Sequence, residues 1–133
     1  MLTYKKYEEP DLTLFKGSAK VPLVEWKDTL AEYANDGPTK YELYDLREII
    51  NTLENHEVRF IATMSDYQKD TRAKGSKTAM LVDHSLKEWA VRFYGILSEV
   101  AHVNWSTRPF LNMTEAISWL GIDVSGIDEL KRP

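Results

Sequence analysis

Residues 77–101 read KTAMLVDHSLKEWAVRFYGILSEVA, and the change of period inside this stretch decides the fold. Over 77–82 the side chains alternate: Thr78, Met80 and Val82 project to one side, Ala79 and Leu81 to the other. Both sets are mostly apolar, as in a strand that lies centrally in a sheet and is covered on both faces. The spacing then changes. Leu86, Trp89, Ala90, Phe93, Tyr94, Leu97, Val100 and Ala101 recur at intervals of three and four, which is one stripe of a helix over 85–101. Ser85 followed by Glu88 reads as a capping box, the hydroxyl accepting from a free amide while the carboxylate reaches back. Strand, turn and capped helix make half of a βαβ unit.

Working outward from this unit, 2–7 and 12–17 read as two short strands separated by Glu9-Pro10-Asp11. Pro22 suits the first turn of a helix over 22–35, whose stripe is Leu23, Trp26, Leu30, Tyr33 and Ala34; Asn35, Asp36, Gly37 and Pro38 stop it. A third strand, 40–46, is less apolar, so one face of the sheet is expected to be only partly covered there. Asn51 and Glu54 form a second capping-box pattern, opening a long helix over 52–73 with Leu53, Phe60, Ile61, Met64 and Tyr67 on one side. Lys69, Arg72 and Lys74 crowd its far end, where cations complement the helix dipole, and Gly75 is the stop. A last strand falls within 103–110, at a sheet edge because Pro109 has no amide to donate. Asn112 and Glu115 then open a short helix through Leu120, with Gly121 as its stop. The expected fold is α/β: one domain over 1–121 with a mixed, mostly parallel sheet of about five strands and four main helices, followed by an irregular tail over 122–133.

Composition narrows the function classes. The 133 residues carry 17 basic and 21 acidic side chains, a net charge of −4, which argues against nucleic acid as a partner. The chain has no cysteine, so disulfides and thiolate chemistry are excluded. No apolar run reaches the roughly 20 residues of a spanning helix, and the N-terminus does not read as a signal peptide. A cytoplasmic monomer or small homo-oligomer is expected. The phosphate-cradling and nucleophile-elbow glycine motifs are absent, so no cofactor is expected. His56, His84 and His102 lack the spacing that presents two imidazoles on one helix face, so no metal is expected either. The basic run 69–77 reads as a solvated helix end, or as a contact for an anionic partner or a membrane surface.

The segment RPFLNMTEAISWLG, with Phe110, Ala116, Trp119 and Leu120, resembles the closing pattern of the SpoIIAA-like family, a bacterial branch of the STAS-type fold. The preceding KTAMLVDHSLKEWAVRFYGIL is similar to that family's central strand and helix, and YDLRE at Tyr44–Glu48 resembles its strand-ending Asp-Leu. The resemblance implies a non-enzymatic regulatory or binding module, acting on a protein partner or on a small apolar or anionic ligand. Anti-sigma-factor antagonists of this type carry a phosphorylatable serine after the Asp-Leu strand. Here that stretch is IINTLENHEV, with Thr52 as its only hydroxyl, and Glu48 and Glu54 nearby oppose an added phosphate.

Asp45 and Asp83 both fall at expected strand C-termini, the edge where open α/β sheets bind ligands. If the strands are neighbours, Asp45, Arg47, Asp83, His84 and Ser85 converge there. The polar end of a ligand would meet these turns and its apolar remainder would lie along the long helix near Phe60 and Met64. The alternative is a small enzyme with His84 as a base oriented by Asp45 or Asp83. The plainer reading is turn chemistry, with Asp83 and Ser85 capping and Asp45 bonding nearby amides. Trp26, Trp89 and Trp119 fit helix stripes, whereas Trp105, on the edge strand, reads either as core or as an exposed anchor for a partner.

Overall fold

The stretch 76–81 forms strand β4, Ser76–Leu81, in the interior of a five-stranded sheet. The structure is a computed structural model and describes residues 1–66, 72–100 and 105–130. Strands β1 (Leu2–Tyr7), β2 (Leu12–Ala19), β3 (Tyr41–Ile49), β4 and β5 (Trp105–Phe110) lie side by side in chain order. β1 runs antiparallel to β2, and every later pair is parallel. The sheet is therefore mixed and mostly parallel, and β5, with Pro109, is its edge. The middle position belongs to β3, not to the more apolar β4. One face of β3 is only partly covered, as expected: Tyr41, Asp45 and Arg47 are half-buried on it beside buried Leu43, whereas Glu42 and Leu46 are buried on the other.

Helices α1 (Leu23–Asp36), α2 (Asn55–Asp66) and α3 (Lys87–Val100) cross over on one face. Their core holds Trp26, Leu30, Val58, Ile61, Trp89 and Phe93 against Phe15, Leu46, Met80 and Val82. Helix α4 (Met113–Leu120) lies on the other face with Leu12, Leu14, Leu43, Ala79 and Leu81. The two-sided pattern of 77–82 thus has a layer for each side. The segment 122–130, the described part of the tail expected to be irregular, is so apart from one 3₁₀ turn at Asp128–Leu130, and its Ile127 and Leu130 are buried in this second core.

Three local expectations need correction. Helix α2 begins at Asn55 and its described part ends at Asp66; residues 67–71, including Lys69 and the far end of the expected long helix, lie outside the described residues. Arg72 is not on a solvated helix end but buried. The second capping box shifts by one turn: Glu54 donates its amide to Glu57 Oε1 at 2.9 Å, while Asn51 brackets the Val21 backbone, accepting from its N–H at 2.8 Å and donating to its C=O at 3.1 Å. Helix α3 is preceded by a 3₁₀ turn, His84–Leu86, and the cap is Asp83 rather than Ser85. The third box is as read, with Asn112 Oδ1 accepting from Glu115 N–H at 2.8 Å and Gly121 closing α4 in the left-handed region. Gly17 sits opposite a bulge in β3, where a Cβ would run into the Ile49 side chain and force it to move.

Candidate functional site

The register of β3 and β4 pairs Asp45 with Leu81, so the Asp45 and Asp83 segments do run side by side. Asp45 lies inside β3 rather than at its end, because the strand continues to Ile49. By alternation it shares the α4 face with Leu43. Arg47 folds back onto it in a two-pronged pair, Nε to Oδ1 at 3.0 Å and Nη2 to Oδ2 at 2.9 Å. Hydrogen bonding to Asp45 raises the guanidinium pKa further, so the charge is held in place and already paired.

Asp83, His84 and Ser85 form a separate, outward-facing turn. The Ser85 hydroxyl donates to Asp83 Oδ1 at 2.6 Å and Leu86 N–H donates to the same oxygen at 3.1 Å. The Ser85 hydrogen bond, helped by the Leu86 amide, holds the Asp83 carboxyl below the usual carboxylate range. His84 and Ser85 are exposed. Among the described residues no hydrogen bond or ion pair joins this turn to Asp45 or Arg47. Phe60 and Met64 belong to α2, on the opposite side of the sheet from Asp45 and Arg47. Met64 packs against the three-helix core, and Phe60 is exposed with Lys27 Nζ 5.6 Å from its ring centre. The seven residues therefore fall into three places: a paired surface charge, a helix cap and the α2 side.

The polar chemistry that reaches the interior lies elsewhere. Glu42, on the three-helix face of β3, is buried, and so is Arg72, which leads into β4. Arg72 Nη1 is 3.3 Å from Glu42 Oε1 and donates to Thr78 Oγ1 at 2.8 Å. Its other nitrogens donate to main-chain carbonyls: Nε to Thr39 at 3.2 Å, Nη2 to Lys40 at 2.9 Å and to Lys77 at 3.3 Å. The Thr78 hydroxyl donates to Glu42 Oε1 at 2.9 Å, and the Tyr33 hydroxyl donates to Oε2 at 2.7 Å. Tyr33 in turn accepts from Thr39 N–H at 2.9 Å. Trp105 is half-buried, with the Arg72 guanidinium carbon 4.7 Å from its ring centre. This group closes the N-terminal end of β3 and β4, away from the edge where ligands usually bind.

Further along β3, Tyr44 lies among aromatic rings. Its ring stacks on Phe15 with centroids 4.1 Å apart and planes 1° from parallel, and Trp26 lies 6.2 Å away. Burial, then the Glu42 charge and Tyr33, push the phenol well above its ordinary value, against an opposing effect of Arg72. Among the described residues its hydroxyl has no hydrogen-bond partner. Yet no fully buried side-chain polar atom among them lacks a partner, and Tyr44 retains partial exposure. The hydroxyl therefore keeps some exposure and is a donor without an acceptor among the described residues.

Comparison with protein-family models and with curated proteins finds no match. The chemistry of the chain therefore rests on its own geometry. Among the described residues no group of three His, Asp or Glu side chains could hold a metal ion; His56 and His84 are exposed, and His102 lies outside those residues. No helix in the described residues is long and apolar enough to cross a membrane. Sequence reading missed Glu42, Arg72 and Tyr44. The signal for Glu42 and Thr78 was present, since both fall on the inward side of their strands by alternation, where a polar residue demands a partner. No local pattern points from Glu42 to Arg72, 30 residues away.

Proposed function

We propose that this chain is a non-enzymatic, STAS-like binding module that holds a small, largely apolar ligand between the three-helix layer and the sheet. The observation that carries the reading is the Tyr44 hydroxyl: deep among Phe15 and Trp26, accessible, and without a partner among the described residues. Ligand sites are mostly apolar with a few placed polar groups, and an isolated donor among aromatic walls is that arrangement in its simplest form. Because its pKa is raised, Tyr44 stays protonated at neutral pH and acts as a donor, so the ligand presents an oxygen acceptor, a carbonyl or a carboxylate. Met64, which packs on the same core, adds an adaptable wall. The Asp45–Arg47 pair and the Asp83 cap take no part in this reading, because their charges and hydrogen bonds are spent on each other and on the backbone.

The test is mass spectrometry of organic extracts from the purified protein, followed by calorimetry with the molecule recovered. Tyr44→Phe keeps the ring and removes one hydrogen bond, worth about 1 kcal/mol, so affinity should fall roughly fivefold. If no molecule is retained, and the fluorescent probe anilinonaphthalene sulfonate shows no saturable binding that Tyr44→Trp abolishes, the reading fails.

A further inference from the structure

Two rows of side chains cross the sheet on its three-helix face. The register aligns Tyr4, Phe15, Tyr44, Met80 and Pro109 in one row, which is apolar apart from the phenol hydroxyls. The next row, nearer the N-terminal ends of β2 to β5, is Lys6, Thr13, Glu42, Thr78 and Thr107, and it is polar throughout. Glu42 and Tyr44 are two residues apart on β3 and leave the same face, so their Cα atoms are about 7 Å apart. Glu42 and Arg72 are the buried charged side chains among the described residues. They are not equally placed with respect to Tyr44. Apart from Glu42, the hydrogen-bonding partners of Arg72 are Thr78, in the polar row, and the carbonyls of Thr39, Lys40 and Lys77, beyond it. Seen from Tyr44, the guanidinium therefore stands behind the carboxylate, and the negative charge is the nearer of the two. The influences on the Tyr44 phenol fall in the same order, Glu42 ahead of Arg72. All three nitrogens of Arg72 are already engaged. Of the neighbouring cations, Lys6 pairs with Asp36 at 3.4 Å and Lys27 lies over the exposed Phe60 ring.

We propose that the atom received by the Tyr44 hydroxyl is a neutral oxygen, the carbonyl of a ketone, ester or amide, and that a carboxylate is turned away. This rests on the ligand-binding reading above and narrows its two acceptors to one. A single phenol donor meets the need of a carbonyl whose remainder is apolar. A carboxylate brings a full charge and room for about four hydrogen bonds. Here it would find one donor, no available buried cation and the like charge of Glu42 on the same strand face. Glu42 thus sets the charge of the ligand without touching it.

Two dyes on one ring system separate the cases: prodan, a dimethylaminonaphthalene bearing a propionyl ketone, and the matching dimethylaminonaphthoate, a carboxylate. In fluorescence titrations at neutral pH, prodan should bind saturably and at least about tenfold more tightly than the naphthoate. Its infrared carbonyl band should move to lower frequency on binding, and Tyr44→Phe should abolish that movement. Glu42→Gln should narrow the preference by about threefold or more, through tighter naphthoate binding. The first two measurements leave Glu42 in place, so they decide the matter even where Glu42→Gln does not fold. Naphthoate binding as tight as that of prodan, or a carbonyl shift that survives in Tyr44→Phe, would overturn the neutral-oxygen assignment while leaving a ligand site standing. An unchanged preference in folded Glu42→Gln would overturn the part given to Glu42. Failure of both dyes to bind saturably would overturn the ligand-binding reading itself, and this inference with it.

Discussion

Replacing Arg72 by methionine should be among the most damaging single substitutions available in this chain. The guanidinium is completely buried and neutralises Glu42, whose side chain is 5% exposed. Without it Glu42 keeps hydrogen bonds from Tyr33 and Thr78 but loses its counter-charge, and the carbonyls of Thr39, Lys40 and Lys77 lose a donor. Removing one member of a buried pair costs about 3–5 kcal/mol, because the other is left charged in a medium that solvates it poorly. With a urea dependence of about 1.5 kcal/mol per molar for a domain of this size, the midpoint should fall by roughly 2–3 M. Intrinsic tryptophan fluorescence is the assay, since Trp105 rests on the guanidinium and Trp26 and Trp89 are buried. Glu42→Gln should cost less than Arg72→Met, because the guanidinium retains its carbonyls and Thr78. The double variant should cost less than the sum of the two by about 0.5–3 kcal/mol. A loss below about 1 kcal/mol for Arg72→Met, or strict additivity, would refute the reasoning, since it would mean that the pair is solvated in solution.

Two further outcomes follow from the titrating and capping groups. Tyr33 and Tyr44 both have folded-state pKa values raised above the ordinary 10.0, chiefly by burial, with Glu42 adding to both. Above that pH the unfolded chain releases these protons first, so stability should be level below about pH 10 and then fall by up to about 1.4 kcal/mol per pH unit for each tyrosine; urea midpoints between pH 8 and 11 measure this, and an unchanged slope in the Tyr33→Phe, Tyr44→Phe double variant would count against it. Asp83→Ala should cost about 1 kcal/mol because it removes the acceptor for Leu86 N–H, whereas Ser85→Ala should cost less than about 0.5 kcal/mol; the reverse order in chemical unfolding would restore Ser85 as the cap. The Asp83 carboxyl is lowered in the folded state, so its contribution should be present at neutral pH and fade as the pH falls below about 4.

Where period alone carries the information, sequence and structure agree. The alternation of Thr78, Met80 and Val82 against Ala79 and Leu81 requires two covering layers, and both exist. The stripe from Leu86 through Phe93 is buried where spacing placed it, and Asn112 caps α4 as its offset from Glu115 indicates. Capping was less legible elsewhere. Ser85 and Asp83 are equally plausible acceptors two residues apart, and which oxygen meets the amide depends on the 3₁₀ turn His84–Leu86.

The candidate site was least legible, because it depends on which side of a strand a residue faces and on what lies beyond. Asp45 looked like a strand end because the polar run Asp45, Arg47, Glu48 follows Leu43, but pairing with β2 carries β3 on to Ile49. That extension directs Asp45 and Arg47 to the α4 face, away from Phe60 and Met64. By itself the sequence determined the order of elements, the parallel core and the two-sided burial of β4, since these follow from residue spacing along short stretches of chain. Only the tertiary structure decided that Arg72 is a buried counter-ion, that Tyr44 carries an unpartnered donor among the described residues, and that Ile127 and Leu130 are buried in the second core. Each of those depends on a contact between residues far apart in the chain, and distance through the fold is not written in any local pattern.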